Sequence, residues 1–187
     1  MVKSQVQWPR TFRKDWGRWG WSSPDSDIPN SDPPDSALIN DRDSFLANEV
    51  ERARMVLQSV WGYADFRPDQ LQAIESILKG RDTLALLPTG GGKSIAFQVP
   101  AIFLGGLTVV VSPLISLMQD QVAALSGRGV PCFALSGRID RGVAAWLGKR
   151  IRESDHFLLY TAPERIGMPL LNGLLDARSP TMVVVDE

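Results

Sequence analysis

Short apolar runs alternate with segments of helical spacing from residue 83 to the end of this chain. Most of these runs are continuously apolar and do not alternate with polar residues, which is typical of strands that are buried on both faces. Strands that alternate with helices predict a parallel sheet covered by helices on both sides. We therefore predict an α/β fold. The predicted strands are Thr83–Leu87, Leu107–Ser112, Pro131–Leu135, His156–Thr161 and Thr181–Asp186.

Three helices are predicted around the first of these runs. Apolar residues recur at helical spacing over residues 45–60, and Ser44 can cap the start of that helix. A second helix is predicted over Pro68–Leu78, because proline suits the first turn of a helix and Gly80 suits the position after its end. A third helix is predicted from Lys93 to about Leu104, before the next strand.

Residues 94–119 carry no charge, and the stretch is long enough to span a bilayer. Pro100, the pair Gly105-Gly106 and Pro113 interrupt it. The pieces between these breaks have the lengths of a helix and a strand. We therefore predict buried elements of the fold here and no membrane segment.

Residues 1–43 differ in composition from the rest of the chain. Five basic residues oppose one acidic residue within the first twenty, with tryptophans among them, and acidic residues and prolines dominate the stretch up to residue 43. Because neither part has an apolar period, we expect a disordered Trp/basic arm and an acidic Pro-rich linker over 1–43, ahead of a domain at 44–187. The arm could stack on single-stranded nucleic acid. A solvated tail or a misassigned start codon is the favoured interpretation.

The net charge of −1 and the single cysteine limit the class of protein. A near-neutral chain offers no general basic surface for nucleic acid, so any such contact must come from local loops. One cysteine excludes an internal disulfide and a cysteine-rich zinc cluster. With no secretory signal in the first residues, we expect a cytoplasmic protein.

A glycine-rich turn, called the glycine turn below, follows the first predicted strand. Glycines let the backbone wrap closely around a phosphate, and the helix after the turn directs free N–H groups at the anion. Lys93 can reach the β- and γ-phosphates of a nucleotide, and the Ser94 hydroxyl can bind Mg²⁺. The general motif has a glycine where this chain has Leu87, so a turn without a ligand is the alternative. The turn residues are Pro88, Thr89, Gly90, Gly91, Gly92, Lys93 and Ser94.

Two carboxylates, Asp186 and Glu187, end the last predicted strand. Sheets of this class place their ligands at the carboxyl ends of the strands. Asp186 would hold Mg²⁺, commonly through water, and Glu187 would orient and deprotonate the attacking water. An apolar strand that ends in Asp-Glu is a weak signal alone. The glycine turn upstream makes it a strong one.

The chain resembles the RecQ family of superfamily 2 helicases from about residue 56 to its end. Phe66–Gln70 is similar to the family's motif 0, and the resemblance implies that Gln70 reads the adenine edge with Arg67 and Tyr63 as companions. An amide can both donate and accept, which suits the amino group and ring nitrogen of adenine. Asp69 stands where the family usually has glycine, in a first helical turn where an acid is favourable.

Three further segments carry the same resemblance. The glycine turn is similar to the family's own phosphate-binding variant, Val111–Gln121 to motif Ia, and Tyr160–Arg165 to motif Ib. The resemblance implies that motifs Ia and Ib line the path of single-stranded DNA and bind phosphates through loop amides, hydroxyls and helix N-termini. Capped strand-to-helix turns are the alternative. The implied DNA-contacting residues are Ser112, Pro113, Thr161, Pro163 and Arg165.

The resemblance implies an ATP-dependent DNA helicase built on a RecA-like P-loop NTPase domain. Such an enzyme uses ATP and Mg²⁺ to move along single-stranded DNA in the 3′-to-5′ direction and to separate the duplex. Single-stranded and partly duplex DNA would be its partners, and a bacterial protein would be associated with the nucleoid. A DEAD-box RNA helicase is one alternative, although its adenine motif and motif Ia differ from the segments found here.

The other alternative is an inactive nucleotide-binding fragment. The resemblance implies that residues 44–187 are the N-terminal part of the first RecA-like domain and stop within an Asp-Glu-Ala-His motif. In RecA-like ATPases the strand after that motif inserts between the strand before the glycine turn and the Asp-Glu strand. We therefore expect a gap with unpaired backbone groups, and we predict that the chain alone neither unwinds DNA nor forms a stable domain.

Four other residues are assigned structural roles. His156 is the single histidine and stands at the entry to an apolar strand, where a packing role is expected. Cys132 is expected to be a small buried apolar residue. Trp61 and Trp146 are expected to pack against neighbouring elements.

Overall fold

The structure is a computed structural model that describes residues 35–88 and 90–186, with side chains from residue 45 onward. The chain divides into two units, residues 1–38 and residues 39–187, and the second unit carries the fold. The helices are α1 (Asp35–Trp61), α2 (Pro68–Leu78), α3 (Lys93–Leu104), α4 (Ile115–Ser126), α5 (Arg141–Glu153) and α6 (Pro169–Ala177). The strands are β1 (Gly106–Val111), β2 (Cys132–Leu135), β3 (His156–Thr161) and β4 (Pro180–Val185), and a short 3₁₀ helix spans Pro163–Arg165.

The first helix begins earlier than the apolar spacing predicts. α1 starts at Asp35, whereas the sequence predicts a start at Ser44. No glycine or proline lies between Pro34 and Ser44, so nothing in the local sequence stops the helix from extending. The predicted helix start is therefore wrong. The predicted disorder of residues 1–34 lies outside the described residues, and the domain boundary at residue 43 stays a prediction.

The four strands form one parallel sheet in the order β2-β3-β1-β4. In this register Val110 of β1 lies opposite Tyr160 of β3 on one side and Val184 of β4 on the other. Each strand returns to the sheet through a helix, as parallel neighbours require. The predicted α/β fold is confirmed.

Helices cover both faces of this sheet. Successive strand side chains point to opposite faces. On one face, Val109 packs in a cluster with Leu147 of α5 and Leu174 of α6. On the other, Val110 packs in a cluster with Met118 of α4 and with side chains of α3. Full burial of one such side chain contributes about 1.5–3 kcal/mol, so both faces stabilise the strand ends where the site lies.

A third cluster fixes the helix that follows the glycine turn. Leu57 of α1, Ile74 of α2 and Val99 of α3 are buried together. The loop between α1 and α2 is tied to the same group, because Arg54 Nε donates to Asp65 Oδ1 at 2.8 Å. That hydrogen bond also holds the pKa of the Asp65 carboxyl below its usual value. Motif 0 therefore starts from a loop that is anchored to α1.

The predicted strand Thr83–Leu87 is not part of the sheet. Residues 81–88 have no regular secondary structure, and Leu84 and Leu86 are each 87% exposed. A strand needs a neighbour that satisfies its backbone groups, and among the described strands β4 pairs with β1 alone. The prediction of a buried strand here is wrong for the described part of the chain. The glycine turn therefore follows an irregular segment.

β4 forms one edge of the sheet. Val183 and Val185 are 57% and 76% exposed, and they lie opposite Val109 and Val111 of β1. An edge strand with exposed apolar side chains is a surface on which further chain can pair. The predicted gap between two strands stays a prediction, because the strand predicted on its other side, Thr83–Leu87, is not part of the described sheet.

The uncharged residues 94–119 fall into α3, β1 and the first part of α4, as the breaks in the sequence predict. Among the described helices, none combines the length and the apolar character that crossing a membrane requires.

Candidate functional site

The glycine turn uses backbone conformations that favour glycine. Gly90 has a φ of 76° and Gly92 a φ of 73°, both in the left-handed region that other residues enter at a cost. The N–H of Gly91 donates to the Pro88 carbonyl at 2.8 Å. A Cβ at Gly91 would come within 2.8 Å of the same oxygen. A side chain is therefore excluded at Gly91 by the Pro88 carbonyl, whereas at Gly90 only the backbone conformation disfavours one.

Lys93 and Ser94 form the first turn of α3, directly after the glycines. Both side chains are half-buried. The first N–H groups of a helix have no partner within the helix and point toward the preceding turn. The start of α3 therefore lies directly after the glycine turn, and a phosphate site formed by Lys93 and Ser94 stays a prediction. Thr89 and Glu187, also predicted at the site, lie outside the described residues.

Gln70 of α2 is hydrogen-bonded to the glycine turn. Its Nε2 donates to the carbonyls of Gly91 at 3.0 Å and Gly92 at 3.2 Å. Its Oε1 accepts from the backbone N–H of Arg67 at 3.0 Å. Gln70 is only 5% exposed, and a Cβ at Gly92 would collide with its amide. In this arrangement both Nε2 hydrogens hold the turn.

The other two motif 0 residues lie at the surface. Arg67 Nη1 donates to the Gly90 carbonyl at 2.8 Å, so a second side chain anchors the glycine turn. Tyr63 is 58% exposed in the loop before α2. Motif 0 and the glycine turn are therefore brought together, as the resemblance implies. The sequence did not indicate that Gln70 and Arg67 contact the turn itself.

Asp186 lies where β4 ends. Its backbone N–H donates to the Val111 carbonyl at 2.9 Å, which continues the pairing of β4 with β1 by one residue. Its side chain is half-buried, and Oδ2 accepts from Gln121 Nε2 at 3.1 Å. The carboxylate is thus fixed at the carboxyl edge of the sheet, as predicted.

A hydrogen-bonded chain of side chains leads away from Asp186 into the core. Gln98 Nε2 donates to Gln121 Oε1 at 3.3 Å and to Tyr160 Oη at 3.1 Å. Gln98 and Tyr160 are buried. Burial raises the pKa of the Tyr160 hydroxyl far above its usual value. Sequence reasoning missed this group, and the one available signal was a glutamine inside the otherwise apolar segment that forms α3.

The predicted DNA-contacting segments follow β1 and β3 at the same edge. The side chains of Ser112 and Thr161 are buried, at 1% and 0% exposed, and the Ser112 N–H donates to the Thr161 carbonyl at 3.0 Å. Pro113 and Pro163 are exposed. The two hydroxyls therefore face the interior, and the loops present backbone at the surface.

Arg165 ends the short 3₁₀ helix and is half-buried. Its guanidinium donates to the carbonyl of Gly137, in the loop after β2. A three-residue helix has no axial N–H cluster comparable to that of α3, so the expected helix N-terminus at motif Ib is only a turn. This guanidinium joins two loops at the carboxyl edge of the sheet.

The residues present fit Mg²⁺ bound together with a nucleotide. Within residues 35–88 and 90–186, no three histidine, cysteine, aspartate or glutamate side chains are grouped as they would be in an all-protein metal site. Mg²⁺ commonly keeps several waters and takes one or two protein ligands in addition to phosphate oxygens. The Ser94 hydroxyl and the Asp186 carboxylate are oxygen groups of the kind that could serve as these ligands.

The four residues expected to have structural roles differ in how deeply they are buried. His156 is half-buried at the start of β3, and burial lowers its pKa. Cys132 is half-buried, less than predicted, and burial raises its pKa. Trp61 packs against two of the core clusters. Trp146 packs edge-on against Phe133, with ring centroids 5.9 Å apart, but stays 49% exposed.

Comparison with known protein families decides the assignment. The family model described as DEAD/DEAH box helicase matches residues 67–187 of this chain. The chain belongs to the DEAD/DEAH box helicase family. The matched residues include Gln70, the glycine turn and Asp186, and the RecA-like character of the helicase domain is confirmed with it.

Individual relatives confirm the predicted resemblance to RecQ helicases. The ATP-dependent DNA helicase RecQ of Synechocystis is 43% identical over 110 residues, covering 59% of this chain and 23% of that protein. RecQ of Haemophilus influenzae is 35% identical over 145 residues, covering 76% and 23%. A mimivirus protein provisionally named as an ATP-dependent RNA helicase is 30% identical over 149 residues. The match covers 79% of this chain and 27% of that protein. The chain spans about a quarter of the length of the curated relatives it matches.

Proposed function

We propose that this helicase domain binds ATP and contributes to an ATP-dependent DNA helicase of the RecQ type. The observation that carries the proposal is the glycine turn, anchored by Gln70 and Arg67 at the N-terminus of α3. A preorganised turn of this kind binds phosphate without first having to be ordered. Two relatives named RecQ, at 35% and 43% identity, support the DNA helicase activity.

The phosphates would bind at the start of α3. The glycine turn and the first N–H groups of the helix favour an anion, and Lys93 would neutralise charge that develops on the transferred phosphoryl group. Thr89, Gly90, Gly91 and Gly92 would supply the backbone contacts. These residues would bind and orient the nucleotide.

Ser94 and Asp186 would hold Mg²⁺, which when bound neutralises phosphate charge. Asp186 is suited to this because its position is fixed on two sides, by the backbone bond to Val111 and by Gln121. Glu187 would orient the attacking water and accept its proton. Lys93, Asp186 and Glu187 are therefore the proposed catalytic residues.

The adenine base would lie beside motif 0. Tyr63 is exposed and can stack on the base, and Arg67 lies close to the glycine turn. The bonds of Gln70 use both Nε2 hydrogens and one lone pair of Oε1. Gln70 would therefore recognise adenine by accepting from its amino group, and not by donating as well.

Single-stranded and partly duplex DNA would pass over the loops after β1 and β3. Because the hydroxyls of Ser112 and Thr161 are buried, phosphate contacts would come from backbone N–H groups around Pro113 and Pro163, with Arg165 nearby. ATP hydrolysis would drive 3′-to-5′ movement and strand separation. An RNA helicase is the second candidate, favoured by the mimivirus relative.

Lys93→Ala in the full-length protein tests the site. Loss of this cation should lower DNA-stimulated ATP hydrolysis about 10²–10³-fold, because removing one donor from a developing charge typically costs that much. DNA affinity, measured by fluorescence anisotropy, should stay within about twofold. Lys149→Ala is the matched control, because Lys149 is exposed on α5 and pairs only loosely with Glu153 at 3.9 Å. Normal turnover in Lys93→Ala would contradict the assignment.

The choice of nucleic acid is tested on the wild-type protein. Single-stranded DNA should stimulate ATP hydrolysis more than RNA of the same sequence and length, and a partly duplex DNA with a 3′ overhang should be unwound. Stimulation by RNA with none by DNA would favour the second candidate.

A further inference from the structure

The hydrogen-bonded chain that ends on Asp186 has only one chemically sensible direction. A carboxylate can only accept, so the Gln121 amide must turn its Nε2 toward Asp186. Gln121 Oε1 then faces Gln98 and accepts a hydrogen bond from its Nε2 at 3.3 Å. The same Nε2 donates to Tyr160 Oη at 3.1 Å. The Asp186 carboxylate thus sets the direction of the Gln121 amide, and Gln98, 4% exposed, satisfies its remaining oxygen.

This chain of side chains joins three elements to the carboxylate. Gln98 lies on α3, the helix that begins at the glycine turn, and Tyr160 lies on β3 just before Thr161. Gln121 lies on α4, which begins six residues earlier, about 9 Å away at 1.5 Å per residue. The start of α4 follows the loop proposed to contact DNA. The Asp186 side chain is thus held by helices that carry both proposed binding segments.

We propose that Gln121 is a positioning residue for the Asp186 carboxylate and links α4 to the metal side of the nucleotide site. It engages Oδ2 from within the protein, so the other carboxylate oxygen can face a cation. A partner that orients a metal-binding side chain without touching the metal usually changes metal affinity or activity about 10–100-fold. The proposal rests on the proposed function, because it takes Asp186 as the metal-binding residue.

The test uses the full-length protein with Gln121→Leu and Gln121→Glu. Leucine removes the donor at similar size, and glutamate places an acceptor against the carboxylate. Both variants should need about tenfold more Mg²⁺ for half-maximal ATP hydrolysis. Their kcat should fall by a similar factor, and the KM for ATP should stay within about threefold. Tyr160→Phe should change the Mg²⁺ requirement and kcat in the same direction, but by a smaller factor. Gln58→Leu, an exposed glutamine on α1, is the matched control and should match wild type.

A binding measurement separates positioning from general damage. Affinity for a fluorescent ADP analogue should be unchanged in EDTA, and the gain in affinity on adding Mg²⁺ should be smaller in both Gln121 variants than in wild type. Equal Mg²⁺ dependence in wild type and Gln121→Leu would overturn the proposal. So would a loss of affinity that is the same with and without Mg²⁺, or unfolding of both Gln121 variants, because each would show a purely structural role.

Asp186→Asn distinguishes failure of this inference from failure of the proposed function. If Asp186→Asn abolishes hydrolysis and the Mg²⁺ effect while both Gln121 variants match wild type, the positioning role is wrong and the proposed site stands. If Asp186→Asn hydrolyses ATP normally, the proposed site is wrong, and the positioning role is overturned with it.

Discussion

Thr108 of β1 carries a buried hydroxyl without a hydrogen-bond partner among the described residues. Its side chain is 1% exposed and lies between Leu158 of β3 and Met182 of β4. A buried hydroxyl that loses its bonds to water and gains none is destabilising by about 1–3 kcal/mol. Thr108 is thus a position where the described core could be stabilised by substitution.

We predict that Thr108→Val stabilises β1. Valine has nearly the same shape and removes the unpaired hydroxyl, so the free energy of opening should rise by about 1 kcal/mol. Hydrogen exchange of the β1 amides in the full-length protein measures it. Val110→Thr is the matched control on the same face of the same strand, and it should change exchange in the opposite direction. Faster exchange in Thr108→Val would contradict the prediction.

At the scale of single elements, the local sequence predicted where most helices and strands begin and end. α2 begins at Pro68 and ends before Gly80, and β3 spans His156–Thr161, both as predicted. These elements are marked by periodicity and by glycine or proline at their ends. The sequence could not reveal that residues 83–87 pair with no described strand. Pairing in a sheet depends on residues that are far apart in the sequence.

Within the candidate site, only the residues that belong to sequence motifs could be predicted. The glycine turn and Asp186 are marked by residue type and order. Gln98 and Gln121 are not, because their bonds cross between elements that meet only in the fold. The double use of Gln70, to cap α2 and to hold the turn, is equally invisible in a linear pattern.

We predict that Gln70→Ala loosens the glycine turn. It removes two hydrogen bonds to turn carbonyls, each worth about 0.5–1.5 kcal/mol. ATP affinity should therefore fall about tenfold, and the preference for ATP over GTP should decrease. The amides of residues 90–92 should exchange faster with solvent. Gln72→Ala, an exposed glutamine on the same helix, is the matched control. Unchanged ATP affinity and exchange in Gln70→Ala would contradict an anchoring role.

At the scale of the whole molecule, two of the described segments expose apolar side chains close together in sequence: β4 and the irregular segment before the glycine turn. Val183 and Val185 on this edge are more than half exposed, and so are Leu84 and Leu86 before the glycine turn. A protein seldom leaves an unpaired apolar edge in contact with water, because such edges promote aggregation. The β4 edge is therefore a surface on which another strand could pair.

We predict that residues 44–187, produced alone, do not form a stable domain. The exposed apolar edge of β4 favours self-association, and a typical domain has only about 5–15 kcal/mol of total stability to oppose it. Light scattering should show self-association, and calorimetry should show no cooperative transition with or without Mg²⁺-ATP. Val185→Lys should reduce the self-association because it places a charge on the edge. A monomer with a sharp transition that ATP raises would contradict the prediction.

The strand order also sets a sequence of events during synthesis. β1 can pair with β3 once residue 161 has left the ribosome, and the helices between them can close both faces. β4 reaches its place beside β1 only after residue 185 has emerged, long after the glycine turn was made. The nascent domain therefore carries the glycine turn before it carries Asp186, and a ligand that needs both can favour only the last step of folding.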